Sequence, residues 1–301
     1  MNHVQFKGII PPVLTIMNAD GSFDWEGTKR LIDHDIAAGV HGLFILGSSG
    51  EFVHMSTEER MDFAEFAVKH VNKRVPVLIG TGGCSTTEVI QLTQHAREIG
   101  ADGVGVVSPY YWLLDENELY HYYASIARKV DIPIMIYHIP MATGQQMSAS
   151  LIARLATDFS NIVGIKDTID SIAHLRQIIN KVKRVRPDFS VLTGFDDHIF
   201  NTMVLGGDGA ITGCTNFVPE ITVSIYNHFV EGRLSESLNA YRKLQQINQI
   251  YDLGESIIGV LKEACKQVLG INNCVRPPVT PCSQTSAEEV KLILTEAGVL
   301  K

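Results

Sequence analysis

The feature that most restricts this chain is a rhythm. Short, continuously apolar runs rich in β-branched residues alternate with longer segments whose apolar positions recur at helical spacing. The runs are GIIPPVLTI (8–16), GLFILG (42–47), VPVLIGT (75–81), GVGVVSP (103–109), IPIMIYHIP (132–140), IVGIKDT (162–168), SVLTGF (190–195) and GAITGC (209–214). Strands apolar on both faces belong to a parallel sheet covered on both sides. The segments between them open with helix signals. Asp24 stands at an N-cap position before a segment that ends at Gly39. Ser56 and Ser85 each precede a glutamate, Glu59 and Glu88, by the spacing of a capping box. The alternation repeats roughly eight times before residue 232, about one unit per 28 residues, and eight βα units in series predict an α/β (β/α)8 TIM barrel. A doubly wound open sheet is the competitor, but here the first strand leads into MNADGSFD (17–24) and not into a glycine-rich phosphate turn.

After Gly232 the rhythm changes. LSESLNAYRKLQQINQIYDLG, SIIGVLKEACKQVLG and TSAEEVKLILTEAGV read as helices with no strand between them, and RPPVTPCS (276–283) reads as a connector. The expected division is a catalytic barrel over 1–224 and a helical C-terminal region over 225–301.

Composition narrows the class. The 301 residues are 45% hydrophobic, enough for a large core, and the net charge is −8. An acidic surface argues against nucleic acid or an anionic membrane as partner. Five cysteines, with no C-x-x-C pair, argue against a disulfide framework and against a thiolate metal site, and point to a reducing compartment. MNHVQFKGII has no long apolar run after a basic start, so no signal peptide is expected, and no apolar run reaches the length of a membrane helix. A cytoplasmic protein is expected.

In a barrel the chemistry sits at the C-terminal ends of the strands. Most lysines, such as Lys29, Lys69, Lys129 and Lys181, fall on amphipathic segments and read as solvated. Lys166 ends an apolar strand. Burial disfavours the charge of an amine there, and a partly desolvated lysine is a nucleophile suited to a Schiff base with a carbonyl substrate. A structural ion pair is the alternative, although adjacent Asp167 points to the opposite face of the strand. Tyr137 ends the preceding strand in YHIPMATG (137–144). Parallel neighbours lie about 4.8 Å apart, so its phenol is within reach of Lys166 and able to relay protons; packing is its other use. His138, one residue on, reads as a packed or hydrogen-bonded structural histidine. GSSGEF (47–52) ends the second strand, and its small residues and two hydroxyls suit a carboxylate. Glu51 in that stretch reads as a helix cap. In SPYYW (108–112) the adjacent aromatics suit either packing, or a proton relay or subunit contact.

Together GLFILGSSGEF (42–52), PYYW (109–112), YHIPMATG (137–144), GIKDTID (164–170) and GDGAITGCTNFVP (207–219) resemble the dihydrodipicolinate synthase / N-acetylneuraminate lyase family of pyruvate-dependent class I aldolases. The motifs occur in the family's order and span most of the barrel. The resemblance implies that Lys166 forms the Schiff base and that Tyr137 shuttles protons. It implies that Ser48 and Ser49, usually threonines, hold the substrate carboxylate, with Ser48 joining the relay. Tyr111 matches a catalytic tyrosine often contributed across a dimer contact, which implies an oligomer, commonly a tetramer. Ile211 lies on the last strand, whose backbone often packs beside the lysine. No metal or organic cofactor is implied, because the lysine itself is the electron sink.

Within the family, dihydrodipicolinate synthases usually carry an arginine for a second carboxylate where this chain has Ala142. K-D-T-I after the lysine, with Y-x-x-P-x-A-T-G, is most similar to the 2-keto-3-deoxygluconate type of aldolase. Such substrates bear hydroxyls along the distal chain, for which Thr168 and Asp196 are candidate partners. His138 departs from the asparagine common at its place. The implied reaction is cleavage of a 2-keto-3-deoxy sugar acid to pyruvate and an aldehyde such as glyceraldehyde. The alternatives are a dihydrodipicolinate synthase, another lyase or dehydratase of the family, or a silent barrel that only senses a 2-keto acid.

Overall fold

The computed structural model describes residues 5–301. The first four residues of MNHVQFKGII, read above for a leader, lie outside them. Eight strands are present: β1 (Gly8–Ile9), β2 (Leu43–Ile45), β3 (Val77–Gly80), β4 (Gly103–Val107), β5 (Ile134–His138), β6 (Ile162–Asp167), β7 (Ser190–Thr193) and β8 (Gly209–Ala210). Every pair is parallel, in the order β1-β8-β7-β6-β5-β4-β3-β2. A parallel bridge between Pro12 and Phe44 closes the ring, with the Phe44 N–H donating to the Pro11 carbonyl and the Val13 N–H to the Phe44 carbonyl, both at 2.9 Å. The strands are buried throughout, and the expected TIM barrel is the fold.

The first strand is shorter than GIIPPVLTI suggests. Pro11 and Pro12 lack the N–H a ladder needs, so regular pairing stops at Ile9. At the other end of the barrel, β8 stops at Ala210 and a 3-10 turn follows at Gly213–Asn216.

The helices of the eight units are α1 (Trp25–Ala37), α2 (Thr57–Val71), α3 (Thr86–Glu98), α4 (Glu116–Lys129), a single turn α5 (Pro140–Thr143) with α6 (Ala149–Asp158), α7 (Ile172–Val185), α8 (Ile199–Val204) and α9 (Pro219–Val230). The capping signals act where they were expected, with one exception. Asp24 accepts from the Gly27 N–H, and Ser56 and Glu59 form a full capping box. Ser85 accepts from the Glu88 N–H, but the Glu88 carboxylate turns away to the Thr57 hydroxyl at 2.8 Å, so only half of the second box forms. Its carboxylate also lies 4.0 Å from Arg60, a charge that outcompetes a solvated backbone amide.

The C-terminal helices are α10 (Leu234–Ile247), α11 (Ile257–Leu269) and α12 (Gln284–Glu296). The division expected at 224/225 falls within α9. The apolar face of α11 joins the same core as the barrel: Val260, Leu261, Ala264 and Cys265 are all buried. All five cysteines are unpaired. No helix among the described residues is long and apolar enough to cross a membrane.

Candidate active site

β5 and β6 are in register such that Tyr137 and Lys166 are ladder partners. Both side chains point into the mouth of the barrel. Lys166 is 5% exposed, and its Nζ lies 4.1 Å from the centre of the Tyr137 ring and 5.3 Å from that of Phe44. No carboxylate lies within ion-pair distance of it among the described residues. The ion pair that would make Lys166 a structural cation is therefore absent. Asp167 points outward and serves two histidines instead, as strand alternation requires.

The Tyr137 hydroxyl shares a 3.0 Å hydrogen bond with the Ser48 hydroxyl. Ser48 and Ser49 sit in a tight turn after β2. The N–H groups of Gly50 and Glu51 close it on the Gly47 and Ser48 carbonyls at 3.0 and 3.1 Å. Those of Ser48 and Ser49 make no hydrogen bond within the described residues, and so remain available to an anion. Leu46 and Glu51, at either side of the turn, both adopt φ near +59°, a region costly for residues with a Cβ. The path is possible because Gly80 of the neighbouring strand leaves room: a Cβ there would lie 1.9 Å from the Leu46 carbonyl oxygen.

Glu51 is not the helix cap that its sequence context suggests. It makes no capping hydrogen bond and is fully buried. Its carboxylate pairs with the equally buried Lys262 of α11 and accepts the Arg276 N–H at 3.0 Å. Burial pushes the Lys262 amine down from the ordinary lysine value, and the attraction of Glu51 opposes that. Lys262 also donates to the Cys274 carbonyl at 2.6 Å, while the Arg276 guanidinium forks onto Glu59 at 2.7 and 2.9 Å. The C-terminal region thus holds the Ser48–Ser49 turn from behind.

Above Lys166 opens a cavity of about 550 Å³. Ser48, Ser49, Tyr137, Lys166, Thr168, Asp196 and Ile211 all line it. Tyr111 does not. It is 93% exposed at the surface, followed by Trp112 at 73% and Leu113 at 68%. The far wall comes from the C-terminal region, including Tyr251 and Asp252. Tyr251 donates to Asp196 Oδ2 at 2.9 Å. Burial pushes the Asp196 carboxyl up to about 6, against the hydrogen bonds from Tyr251, Thr212 and the Cys214 N–H. Asp196 Oδ1 and Thr168 Oγ1 are both buried and have no hydrogen-bond partner within the protein. Lys166 is the sole cation among the described residues that line the cavity, whereas Asp196, Asp197 and Asp252 are acidic residues of its lining.

One cluster among the described residues has the donor types of a metal centre: His138, Asp167 and His174. Its hydrogen bonds speak otherwise. His138 Nε2 faces the Met147 N–H at 3.2 Å and must accept from it, so the ring proton sits on Nδ1 and is donated to Asp167 at 2.8 Å. The nitrogen nearest the cluster is then a donor, not a ligand.

Sequence reasoning missed Tyr251, Lys262, Arg276 and His174. Lys262 carries a signal in hindsight: a lysine inside IIGVLKEAC, on the apolar face of a helix, needs a buried partner. The other three stand in segments whose pattern does not mark them.

A protein-family model described as the dihydrodipicolinate synthetase family matches residues 5–297. YagE of Escherichia coli K12, provisionally named a 2-dehydro-3-deoxy-D-gluconate aldolase, is 47% identical over 294 residues, 97% of either chain. YjhH of the same strain, provisionally named a 2-dehydro-3-deoxy-D-pentonate aldolase, is 46% identical over 297 residues, 98% of this chain and 99% of its own. The crystal structure of YagE in complex with pyruvate matches with a TM-score of 0.96 at 46% identity, covering 98% of this chain and 100% of that one. Dihydrodipicolinate synthase of Thermotoga maritima matches at 0.94 with 31% identity, covering 99% and 100%. Closed barrel, strand-end lysine and matched length agree: the chain belongs to the dihydrodipicolinate synthetase family.

Proposed function

We propose that this chain is a class I aldolase that cleaves a 2-keto-3-deoxy sugar acid to pyruvate and an aldehyde such as glyceraldehyde. The observation that carries this reading is the pairing of two environments in one cavity. At its base a buried lysine without a counter-ion meets a tyrosine–serine hydrogen bond. The rest of its lining carries acids and partnerless polar atoms, with no second cation among the described residues. A second carboxylate or a phosphate would be repelled there, whereas hydroxyls would find acceptors in Asp196 and Thr168. This disfavours the dihydrodipicolinate synthase reading, as does Ala142 in the cavity wall where those enzymes carry arginine. YagE and YjhH, 47% and 46% identical to this chain, bear names of sugar-acid aldolases.

The proposed reaction follows from the positions. The substrate carboxylate binds the N–H groups and hydroxyls of Ser48 and Ser49. The Lys166 amine attacks the C2 carbonyl, and the carbinolamine loses water to give an iminium, with Tyr137 and Ser48 carrying the protons. Tyr137 then takes the C4 hydroxyl proton as the C3–C4 bond breaks, and the electron pair enters the iminium to give an enamine. The aldehyde leaves, C3 is protonated, and water hydrolyses the imine to release pyruvate and the free amine. The lysine supplies the electron sink, so this route calls on no cofactor. Ile211, the residue after the last strand, lines the same cavity as the lysine.

We further infer a homotetramer in which Tyr111 reaches a neighbouring subunit's site. Tyr111, Trp112 and Leu113 expose three consecutive large apolar side chains, of the kind that a partner covers. The unpaired thiols support a reducing, cytoplasmic location. The experiment is a comparison of two assays: aldol cleavage of 2-keto-3-deoxygluconate, and condensation of pyruvate with aspartate semialdehyde. Cleavage without condensation is expected; condensation alone would overturn the substrate reading.

A further inference from the structure

Directly after the reactive pair in each strand comes a second pair on the opposite face. His138 and Asp167 are also ladder partners between β5 and β6. Both are buried, and neither enters the reaction sequence above. His138 donates to Asp167 Oδ1, and His174 of α7, 19% exposed, lies with Nδ1 3.1 Å from Asp167 Oδ2. Burial raises the Asp167 carboxyl, but the hydrogen bonds from the two rings outweigh it and hold the group below the usual carboxylate range. One carboxylate therefore ties β5, β6 and α7 together.

Both rings also meet the same residue of a fourth element. Met147, at the end of the segment that links β5 to α6, donates its N–H to His138 Nε2, and its carbonyl faces the His174 ring. The array thus holds the Met147 backbone through the His138 ring, with His174 beside it. That segment begins at Ile139 and contains Met141 and Ala142, and all three line the cavity. Thr168 and Asp196 line the same cavity, and the Thr168 N–H donates to the His138 carbonyl at 2.8 Å, beside the start of this wall. With the keto-acid end of a substrate held at Ser48, Ser49 and Lys166, the segment 139–147 borders the space left for the distal chain.

We propose that His138, Asp167 and His174 are positioning residues that fix the 139–147 wall, and so set how well the site accepts the distal, hydroxyl-bearing part of its substrate. This rests on the aldolase reading given above. The array acts on the wall through Met147, while the Lys166 and Tyr137 side chains lie on the opposite face of the same two strands and make no hydrogen bond to it. Loosening it is expected to harm a long sugar acid more than pyruvate, which lacks a distal chain.

The test uses the full-length His174→Gln and His138→Asn variants. Each is assayed for borohydride trapping of pyruvate and for cleavage of 2-keto-3-deoxygluconate. Trapping is expected to stay within about twofold of wild type, while KM for the sugar acid rises roughly tenfold and kcat changes less. Unchanged KM for the sugar acid in both variants would overturn the proposal. So would a fall in pyruvate trapping parallel to the loss of cleavage, which would mean that the array supports the reacting pair itself. Should His138→Asn fail to fold, His174→Gln, at the partly exposed edge of the array, carries the test alone. If the wild type traps no pyruvate, the aldolase reading itself has failed, an outcome distinct from these.

Discussion

Lys166 Nζ lies 4.1 Å from the centre of the Tyr137 ring, and the two residues are partners in one parallel ladder. A β-ladder fixes this relation more firmly than loops would, since shifting it by one residue would turn every side chain of a strand to the other face. The register that brings Tyr137 to Lys166 also brings His138 to Asp167. Rigid placement of a proton carrier beside a nucleophile is the condition for efficient transfer in either direction.

Removing the proton carrier while keeping the nucleophile separates their contributions. Tyr137→Phe is expected to lower kcat for sugar-acid cleavage by roughly 10²- to 10⁴-fold, the usual worth of a positioned acid–base group. Lys166→Ala is expected to abolish turnover. Steady-state kinetics on both variants checks this; near-normal kcat in Tyr137→Phe would assign the proton transfer elsewhere.

Asp196 gives a pH dependence with a defined sign. Its carboxyl titrates at about 6, so it is ionised above that pH and neutral below it. An ionised acceptor binds a hydroxyl more strongly than a neutral one. KM for the sugar acid is therefore expected to rise on the order of tenfold as pH falls through about 6. In Asp196→Asn the rise is lost and KM stays high at all pH. A KM profile from pH 5 to 8 on both proteins decides it.

The buried pair Glu51–Lys262 joins the Ser48–Ser49 turn to α11. Lys262→Met strands a buried carboxylate and is expected to cost about 3–5 kcal/mol of stability. Glu51→Gln combined with Lys262→Met should recover part of that loss, because no charge is then left alone. Urea denaturation of the single and double variants measures the coupling; additive losses would mean that the two side chains do not interact.

Asp35 of α1 is fully buried, and neither carboxylate oxygen has a hydrogen-bond partner. Burial pushes its carboxyl well above the ordinary value, and the nearby charge of Glu220 adds to this. In the unfolded chain Asp35 ionises from about pH 4 upward, while the folded state holds its proton to higher pH. Folding stability is therefore lost as pH rises from the unfolded value towards the folded one. Asp35→Asn cannot ionise. It is expected to be more stable than wild type at pH 8 by on the order of 1–3 kcal/mol, with the gain shrinking towards pH 4. Thermal melts at the two pH values test the sign.

The sequence revealed those parts of the fold and site that local pattern records. Eight apolar runs separated by capped helices are enough to predict the barrel, and Lys166 stands out because a lysine ending such a run is costly. The failures are long-range or local exceptions. Pro11 and Pro12 cut β1 short although the run stays apolar. Glu51 looks like a cap until Lys262 and Arg276, far along the chain, are seen to meet it. Tyr251 reaches the cavity from a segment whose polar surroundings give no sign of it. His174 gains its role only because α7 lies against Asp167. The last three depend on packing between elements, which no periodicity encodes.

The central claim is that Lys166 forms an imine with a 2-keto acid. Its most direct measurement is reduction with borohydride in the presence of pyruvate, followed by digestion and mass spectrometry of the peptides. The account predicts a single reduced pyruvate adduct on the peptide that contains Lys166, and none in Lys166→Ala. No adduct in the wild type, or an adduct on another lysine, would contradict it.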